Sequence, residues 1–307
     1  MPYTKPFLKW VGGKYKLLDK IITKFPLTIN NYHEPFLGGG SVLFALLDRV
    51  EKKEIKINNN IYAYDINEEL IYTYKNIQKN PNELIAEVQK IICEYKNLPN
   101  DKKKVPRGLN ITTDNYKTNK EYYYYYIRQL YNSNINKKSI TCSAQFIFLN
   151  KTCFRGVYRI GPNGFNVPFG NYSNPEIINE KDILHISKLI QKVIFINTNF
   201  TNLVVESGDF IYVDPPYLKI DKNSFDSYTK LKFNNDSHNK LFGMLNDFAG
   251  RGIKFIMSNS DTKEIESFFD KDKFTICKVL CKRSINCKNP ESVVNEVIIF
   301  PRLESPY

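Results

Sequence analysis

Apolar positions along the chain follow two periods that alternate. Short solid runs at Ile61-Tyr62-Ala63-Tyr64, Val193-Ile194-Phe195-Ile196, Phe210-Ile211-Tyr212-Val213 and Phe255-Ile256-Met257 predict strands buried on both faces. Phe274-Thr275-Ile276, Val279-Leu280 and the run from Val293 to Phe300 predict further strands. Helical spacing lies between them. It is carried by Leu17, Leu18, Ile21 and Ile22 within 15–25, by Leu43, Phe44, Leu46 and Leu47, and by Leu84, Val88, Ile91 and Ile92 within 70–98. Residues 181–193 and 233–245 read as two more helices. Strands alternating with helices predict an α/β sheet, here divided by a helical and loop-rich insertion. The sheet domain is drawn as 1–74 plus 193–307 and the insertion as 75–192.

The run Phe210–Val213 stops abruptly. Asp214, Pro215, Pro216 and Tyr217 follow it, and proline, having no N–H, cannot pair in a central strand. Asp214 is therefore expected at the carboxyl end of its strand, the edge where open α/β sheets bind ligands. An acid, exposed carbonyls and a ring at that edge suit a planar molecule carrying an amino group. The carboxylate and a carbonyl accept its two N–H bonds, and the ring stacks on its face. Asp-Pro and Pro-Pro are also ordinary loop punctuation, so a plain strand-ending turn explains the four residues equally well on their own.

Two glycine stretches bear on that choice. Trp10-Val11-Gly12-Gly13-Lys14 sets the single tryptophan beside paired glycines whose N–H groups can approach a carboxylate, although a turn into a helix requires no more. Pro35-Phe36-Leu37-Gly38-Gly39-Gly40-Ser41 opens an apolar helix, an arrangement that cradles nucleotide-like cofactors on doubly wound sheets. It is not G-x-G-x-x-G, which argues against a standard dinucleotide site. The strand predicted next ends in Asp65, an acid placed to take ribose hydroxyls. Glycine loop and acid together point to an adenosine-containing cofactor, with NAD and S-adenosylmethionine both compatible.

Charge narrows the substrate. Among 307 residues, 44 Lys+Arg stand against 32 Asp+Glu, a net charge of +12. That balance favours a polyanionic partner, nucleic acid first, although abundant lysine and asparagine would raise it in any protein. Residues 151–172 mix arginine, rings, asparagine and glycine most densely, and Pro162-Asn163-Gly164 predicts a hairpin tip. In a DNA groove arginine forks read guanine edges and rings stack or wedge; the same composition also fits a packing loop. The five tyrosines at 122–126 predict a helix that packs most of its rings. The Lys-rich loop 100–108 is open to phosphate or to solvent alone. Six cysteines and three histidines without ligand spacing predict no metal site and reduced intracellular thiols. No apolar run reaches the roughly 18–20 residues of a membrane span, so a soluble intracellular protein is expected.

The order of these motifs resembles that of the Dam-type (D12 class, alpha-group) DNA adenine-N6 methyltransferases over nearly the whole chain. The resemblance is carried by Phe7-Leu8-Lys9-Trp10 with Gly12-Gly13-Lys14, by Glu34-Pro35-Phe36 with 38–42, and by Asp65-Ile66-Asn67. Tyr122-Tyr123 with Arg128, Asn166-Val167-Pro168-Phe169-Gly170, Asp214-Pro215-Pro216-Tyr217, Ser258-Asn259 and Arg283-Ser284-Ile285 complete it. It implies a Rossmann-like S-adenosylmethionine-dependent methyltransferase sheet, with 75–192 as an inserted target-recognition domain. The implied cofactor site is Trp10, Lys14, Pro35, Phe36, Gly38, Gly40, Ser41, Asp65, Ile66, Phe200 and Asp214. Asp214, Pro215, Pro216 and Tyr217 would form the catalytic loop that holds a flipped adenine. Double-stranded DNA would be contacted by Lys9, Phe154, Arg155, Val157, Arg159, Pro168 and Tyr172. A restriction endonuclease acting on the same site, with no physical complex, is the associated partner. Arg155 stands where Dam itself carries asparagine, and the 161–164 tip also differs, so GATC competes with another short palindrome such as CATG. An RNA or protein (glutamine) methyltransferase using the same D-P-P-Y chemistry, and a catalytically idle DNA-binding relative, are the alternative readings.

Overall fold

The computed structural model describes residues 3–99, 104–106, 109–217, 233–282 and 293–302. A seven-stranded sheet forms its centre. In chain order the strands are β1 (Tyr32–Glu34), β2 (Ile61–Asp65), β3 (Val193–Asn197), β4 (Phe210–Val213), β5 (Lys254–Ser260), β6 (Phe274–Lys282) and β7 (Val293–Pro301). They lie in the order 3-2-1-4-5-7-6, with β1 to β5 parallel and β7 antiparallel to both β5 and β6. The expected Rossmann-like sheet is present. Its order reverses between β1 and β4, where Tyr32 pairs with Phe210 and His33 with Ile211. Connections leave these two strands in opposite directions and open a crevice at their carboxyl ends.

Both faces of the sheet are covered, which is why β2 to β5 read as solid apolar runs; β1, equally buried, is Tyr32-His33-Glu34 and is not among the predicted strands. Phe210 and Tyr212 of β4 enter one core while Ile211 and Val213 enter the other. On β5, Ile256 joins the first core and Phe255 and Met257 the second. The two-residue period of a strand sends successive side chains to opposite faces. The first core is shared by α1 (Ser41–Glu51), α2 (Glu68–Lys79), α3 (Pro81–Lys96), α4 (Lys120–Ser133), α5 (Ile140–Thr152) and α6 (Glu180–Leu189). The second lies under α7 (Asn235–Gly250).

Several elements depart from the expected boundaries. The helix predicted over 70–98 is two helices, because Pro81 cannot extend the hydrogen bonding of α2 but suits the first position of α3. Residues 15–25 hold a turn of 3-10 helix at Tyr15–Leu17 and a short α-helix at Leu18–Ile22. The helix over 181–193 is α6, which ends before Val193 opens β3. The one over 233–245 is α7, which begins at Asn235 and runs on to Gly250. The two strands predicted at 274–280 are one, β6, paired continuously with β7. It gives Phe274 and Ile276 to one core and Cys277 and Val279 to the other, while Lys278, exposed on it, pairs with Asp261 and Glu266 (3.0 Å each). The tyrosine run lies in α4, which buries Tyr122, Tyr123, Tyr124 and Tyr131. Of the Lys-rich loop 100–108 only 104–106 fall within the described residues, and Arg283-Ser284-Ile285 falls outside them. Among the described residues no helix is long and apolar enough to cross a membrane.

Candidate active site

The carboxyl ends of β1 and β4 open into a cavity of about 330 Å3. Every residue expected in the cofactor and catalytic sets lines it except Gly40. Gly40 lies beneath as the left-handed cap of α1 (φ +71°), where a Cβ would come 2.7 Å from the Tyr74 hydroxyl.

Asp214 follows directly on β4 and keeps a fifth of its side chain open. Lys14, only 3 % exposed, sets Nζ 2.9 Å from Asp214 Oδ2. The same ammonium donates to the Gly12 carbonyl and lies 4.8 Å from the centre of the Tyr217 ring. The Tyr217 hydroxyl donates to Glu296 Oε2 of β7 (2.8 Å), and His238 Nε2 of α7 donates to the Pro216 carbonyl (2.9 Å). Acid, backbone and ring are thus held by separate elements, an arrangement that leaves little to reorganise when charge develops.

Glu34 also faces this cavity, and the sequence singles it out only as a neighbour of Pro35-Phe36. It closes β1, is 2 % exposed, and accepts the Tyr32 hydroxyl on Oε2 (2.6 Å). The usable signal was its i, i+2 spacing from Tyr32, which puts both on one face of the strand. Burial pushes the Glu34 carboxyl up to about 8; the Tyr32 hydroxyl opposes the rise and the Asp214 charge adds to it. Burial pushes Asp214 up to about 6, against the Lys14 ammonium, which holds it down. Near neutral pH one acid is therefore protonated and the other ionised, which lets two carboxyl groups share a poorly solvated site.

The glycine end is built around Trp10, whose indole stacks on Tyr158 with centroids 5.8 Å apart. Gly38 passes so close that a Cβ would meet the indole at 2.8 Å. Its N–H donates to Asp65 Oδ2 (3.0 Å), Asp65 Oδ1 accepts the Asn67 N–H (2.9 Å), and the Lys14 N–H donates to Ser41 Oγ (3.2 Å). The Ile66 N–H also bonds this carboxylate, which leaves one of its lone-pair sites for a ligand. Beyond Asp65, Phe36 and Phe200 form an apolar corner with centroids 5.5 Å apart. An ammonium beside a glycine turn, then a carboxylate, then two rings is a donor set that fits an amino-acid zwitterion, a ribose diol and a purine in turn.

The family model for D12 class N6 adenine-specific DNA methyltransferases matches residues 10–285. The chain belongs to that family. It is 38 % identical over 296 residues to the Type II methyltransferase M.MjaIII of Methanocaldococcus jannaschii, a match spanning 92 % of this chain and 93 % of the relative. Identity to the Type II methyltransferase M1.LlaDCHI of Lactococcus lactis subsp. cremoris is 30 % over 304 residues, spanning 96 % and 94 %. Identity to the DNA adenine methylase of Escherichia coli (strain K12) is 27 % over 293 residues, spanning 93 % and 91 %.

In this adenine methyltransferase the residues expected on DNA lie outside the cavity lining. Lys9, next to Trp10, exchanges two 2.8 Å backbone hydrogen bonds with the Asn150 side chain of α5. Its Nζ lies 4.1 Å from the centre of the Tyr172 ring, and the Tyr172 hydroxyl accepts the Arg155 N–H (2.9 Å). Arg155 adopts a left-handed backbone (φ +57°), and its guanidinium lies 5.2 Å from the half-exposed ring of Phe154. Lys9, Phe154, Arg155 and Tyr172 thus form one cluster. Val157 stands apart, half-buried against the first core. Arg159 forks onto Asn166, with Nε 2.5 Å from Oδ1 and Nη2 3.0 Å from the backbone oxygen. Pro168 is exposed, and its carbonyl accepts the Phe154 N–H (2.8 Å).

The acid pair sets a pH dependence. Ionised Asp214 accepts hydrogen bonds, and protonation below about pH 6 turns one oxygen into a donor. Methylation kcat/KM is expected to fall as pH drops through 6, by about tenfold at pH 5. Initial rates between pH 5 and 8 check this; a flat profile down to pH 5 contradicts it.

Proposed function

We propose that this enzyme transfers the methyl group of S-adenosylmethionine to N6 of an adenine flipped out of a short site in double-stranded DNA. The observation that carries this reading is the Asp214 carboxylate, partly open to a cavity at the switch point and backed by Lys14 and the Tyr217 ring. Trp10, Lys14, Pro35, Gly38 and Ser41 take the methionine end of the cofactor, Gly40 shapes the turn beneath, Asp65 and Ile66 take the ribose, and Phe36 and Phe200 border its adenine. S-adenosylmethionine supplies a methyl group already activated by its sulfonium.

The residues of the chain then act on the amine. The adenine N6 lone pair is delocalised into the ring and attacks poorly. Asp214 and the Pro215 carbonyl accept its two N–H bonds, favour a more tetrahedral nitrogen and stabilise the positive charge that develops on it. Pro216 fixes the loop, and Tyr217 stacks on the extruded base, offsetting part of the few kcal/mol that unstacking costs. Alignment of amine and methyl supplies much of the remaining acceleration.

Residues 75–192 serve as the target-recognition domain. Lys9, Phe154, Arg155, Val157, Arg159, Pro168 and Tyr172 contact the target bases and neighbouring phosphates within GATC or another short palindrome such as CATG. A restriction endonuclease of the same specificity is the functional partner, without a physical complex. Expression in cells lacking adenine methylation, followed by sequencing for modified adenines, is expected to show N6-methyladenine confined to one short palindrome. Unmodified DNA from cells holding folded protein would overturn the proposal.

A further inference from the structure

The recognition segment does not hold its shape alone. Over 165–168 it is extended, with Phe165 and Val167 buried and Asn166 and Pro168 exposed. It pairs with itself through the two-residue ladder Ile160–Gly161 with Gly164–Phe165, the Asn166 N–H to the Arg159 carbonyl (3.1 Å) and the Phe154 N–H to the Pro168 carbonyl (2.8 Å). Phe165 and Val167 take further backbone partners from one stripe of α4. Tyr124, Arg128 and Asn132 recur at four-residue spacing, so they share a helix face. Asn132 exchanges two hydrogen bonds with Phe165: its Nδ2 donates to the Phe165 carbonyl (3.0 Å) and its Oδ1 accepts the Phe165 N–H (2.8 Å). The amide side chain thereby stands in for the edge of a neighbouring strand. One and two turns back, Arg128 Nη1 (3.2 Å) and the Tyr124 hydroxyl (2.8 Å) both donate to the Val167 carbonyl. Gly164, at φ +94°, lets the chain come this near, since a Cβ there would lie 2.6 Å from Asn132 Oδ1.

The consequence falls on the outward residues. Because side chains alternate along an extended segment, fixing the Phe165 and Val167 backbone also fixes Asn166 and Pro168. Asn166 in turn holds both ends of the Arg159 fork. We propose that Tyr124, Arg128 and Asn132 are positioning residues for sequence specificity, setting the register and tilt at which Arg159 and Pro168 meet the DNA. This rests on the reading of 154–172 as the segment that contacts bases. A base-reading fork is sensitive to such support, because its geometry, more than its charge, separates right from wrong bases.

The test measures kcat/KM on duplexes carrying the preferred site and on duplexes with one base pair replaced, for wild type, Asn132→Ala, Tyr124→Phe, Arg128→Met, Arg128→Lys and the double variant Tyr124→Phe/Arg128→Met. Arg159→Ala serves as the reference. Asn132→Ala and the double variant Tyr124→Phe/Arg128→Met are expected to lose about tenfold in discrimination, the scale of one base contact. Their S-adenosylmethionine affinity and Tm should stay close to wild type. Arg128→Lys, which keeps a donor for Val167, should recover part of the loss that Arg128→Met shows. If Arg159→Ala relaxes selectivity while Asn132→Ala and the double variant discriminate like wild type, the positioning role is wrong. If Arg159→Ala itself leaves selectivity unchanged, the underlying assignment of Arg159 fails, and the proposal with it. Tyr124→Phe removes a single oxygen, so the test survives poor folding of Asn132→Ala.

Discussion

Asp214→Asn is expected to slow methyl transfer by about 10³-fold, roughly 4 kcal/mol, while S-adenosylmethionine and DNA still bind. The substitution keeps the size of the side chain and one acceptor oxygen for the Lys14 ammonium, so the cavity retains its shape. What it removes is the negative charge next to the attacking nitrogen, and it turns one acceptor into a donor that faces another donor. Asp214→Ala is expected to lose the same chemistry and, in addition, to strip the counter-charge from a lysine that is 3 % exposed. Single-turnover methylation, with cofactor binding by calorimetry and DNA binding by anisotropy, separates chemistry from affinity. A residual rate within tenfold of wild type would falsify the role given to this carboxylate.

Gly38→Ala is expected to weaken S-adenosylmethionine binding about 100-fold. Two costs coincide at this position. The left-handed backbone (φ +49°) penalises any residue with a Cβ by roughly 1–2 kcal/mol. The new methyl would also lie 2.8 Å from the Trp10 indole, which cannot swing aside because Tyr158 stacks against it. Either the loop shifts and its N–H leaves Asp65, or Trp10 leaves the cavity wall. Gly39→Ala is the control: its backbone is not left-handed and its Cβ would sit 3.0 Å from Trp10 Cβ, so a smaller loss is expected. Calorimetric titration of both variants decides; equal losses would show that neither the strain nor the indole contact matters.

Legibility differed along the chain for definite reasons. β2 to β5 were plain because burial on both faces leaves unbroken apolar runs, whereas β1 went unread because its buried residues are Tyr32, His33 and Glu34, and β6 was split in two by Lys278, which pairs with Asp261 and Glu266. The break between α2 and α3 lay in Pro81, whose effect on a helix is local. The cofactor and catalytic residues named from motif order nearly all line one cavity, yet Glu34 was passed over, since its importance rests on Tyr32 and Asp214. Arg159 was visible as an arginine in a hairpin; its support by Asn166, and through Phe165 and Val167 by α4, was not.

By itself the sequence determined where every strand of the sheet but β1 runs, that β4 ends at the residue before Asp214, and that the motifs follow the order of an adenine methyltransferase. These depend on local rules: a two-residue period, a proline without an N–H, and glycines where the chain turns. Only the tertiary structure decided that Lys14 is the counter-ion of Asp214, that the buried Glu34 carboxyl faces the same cavity, and that Tyr217 ends on Glu296. Those partners come from β1, β7 and the turn before the first helix, and they meet because the sheet order reverses between β1 and β4. Strand order is set by how whole elements pack, and no stretch of local pattern carries it.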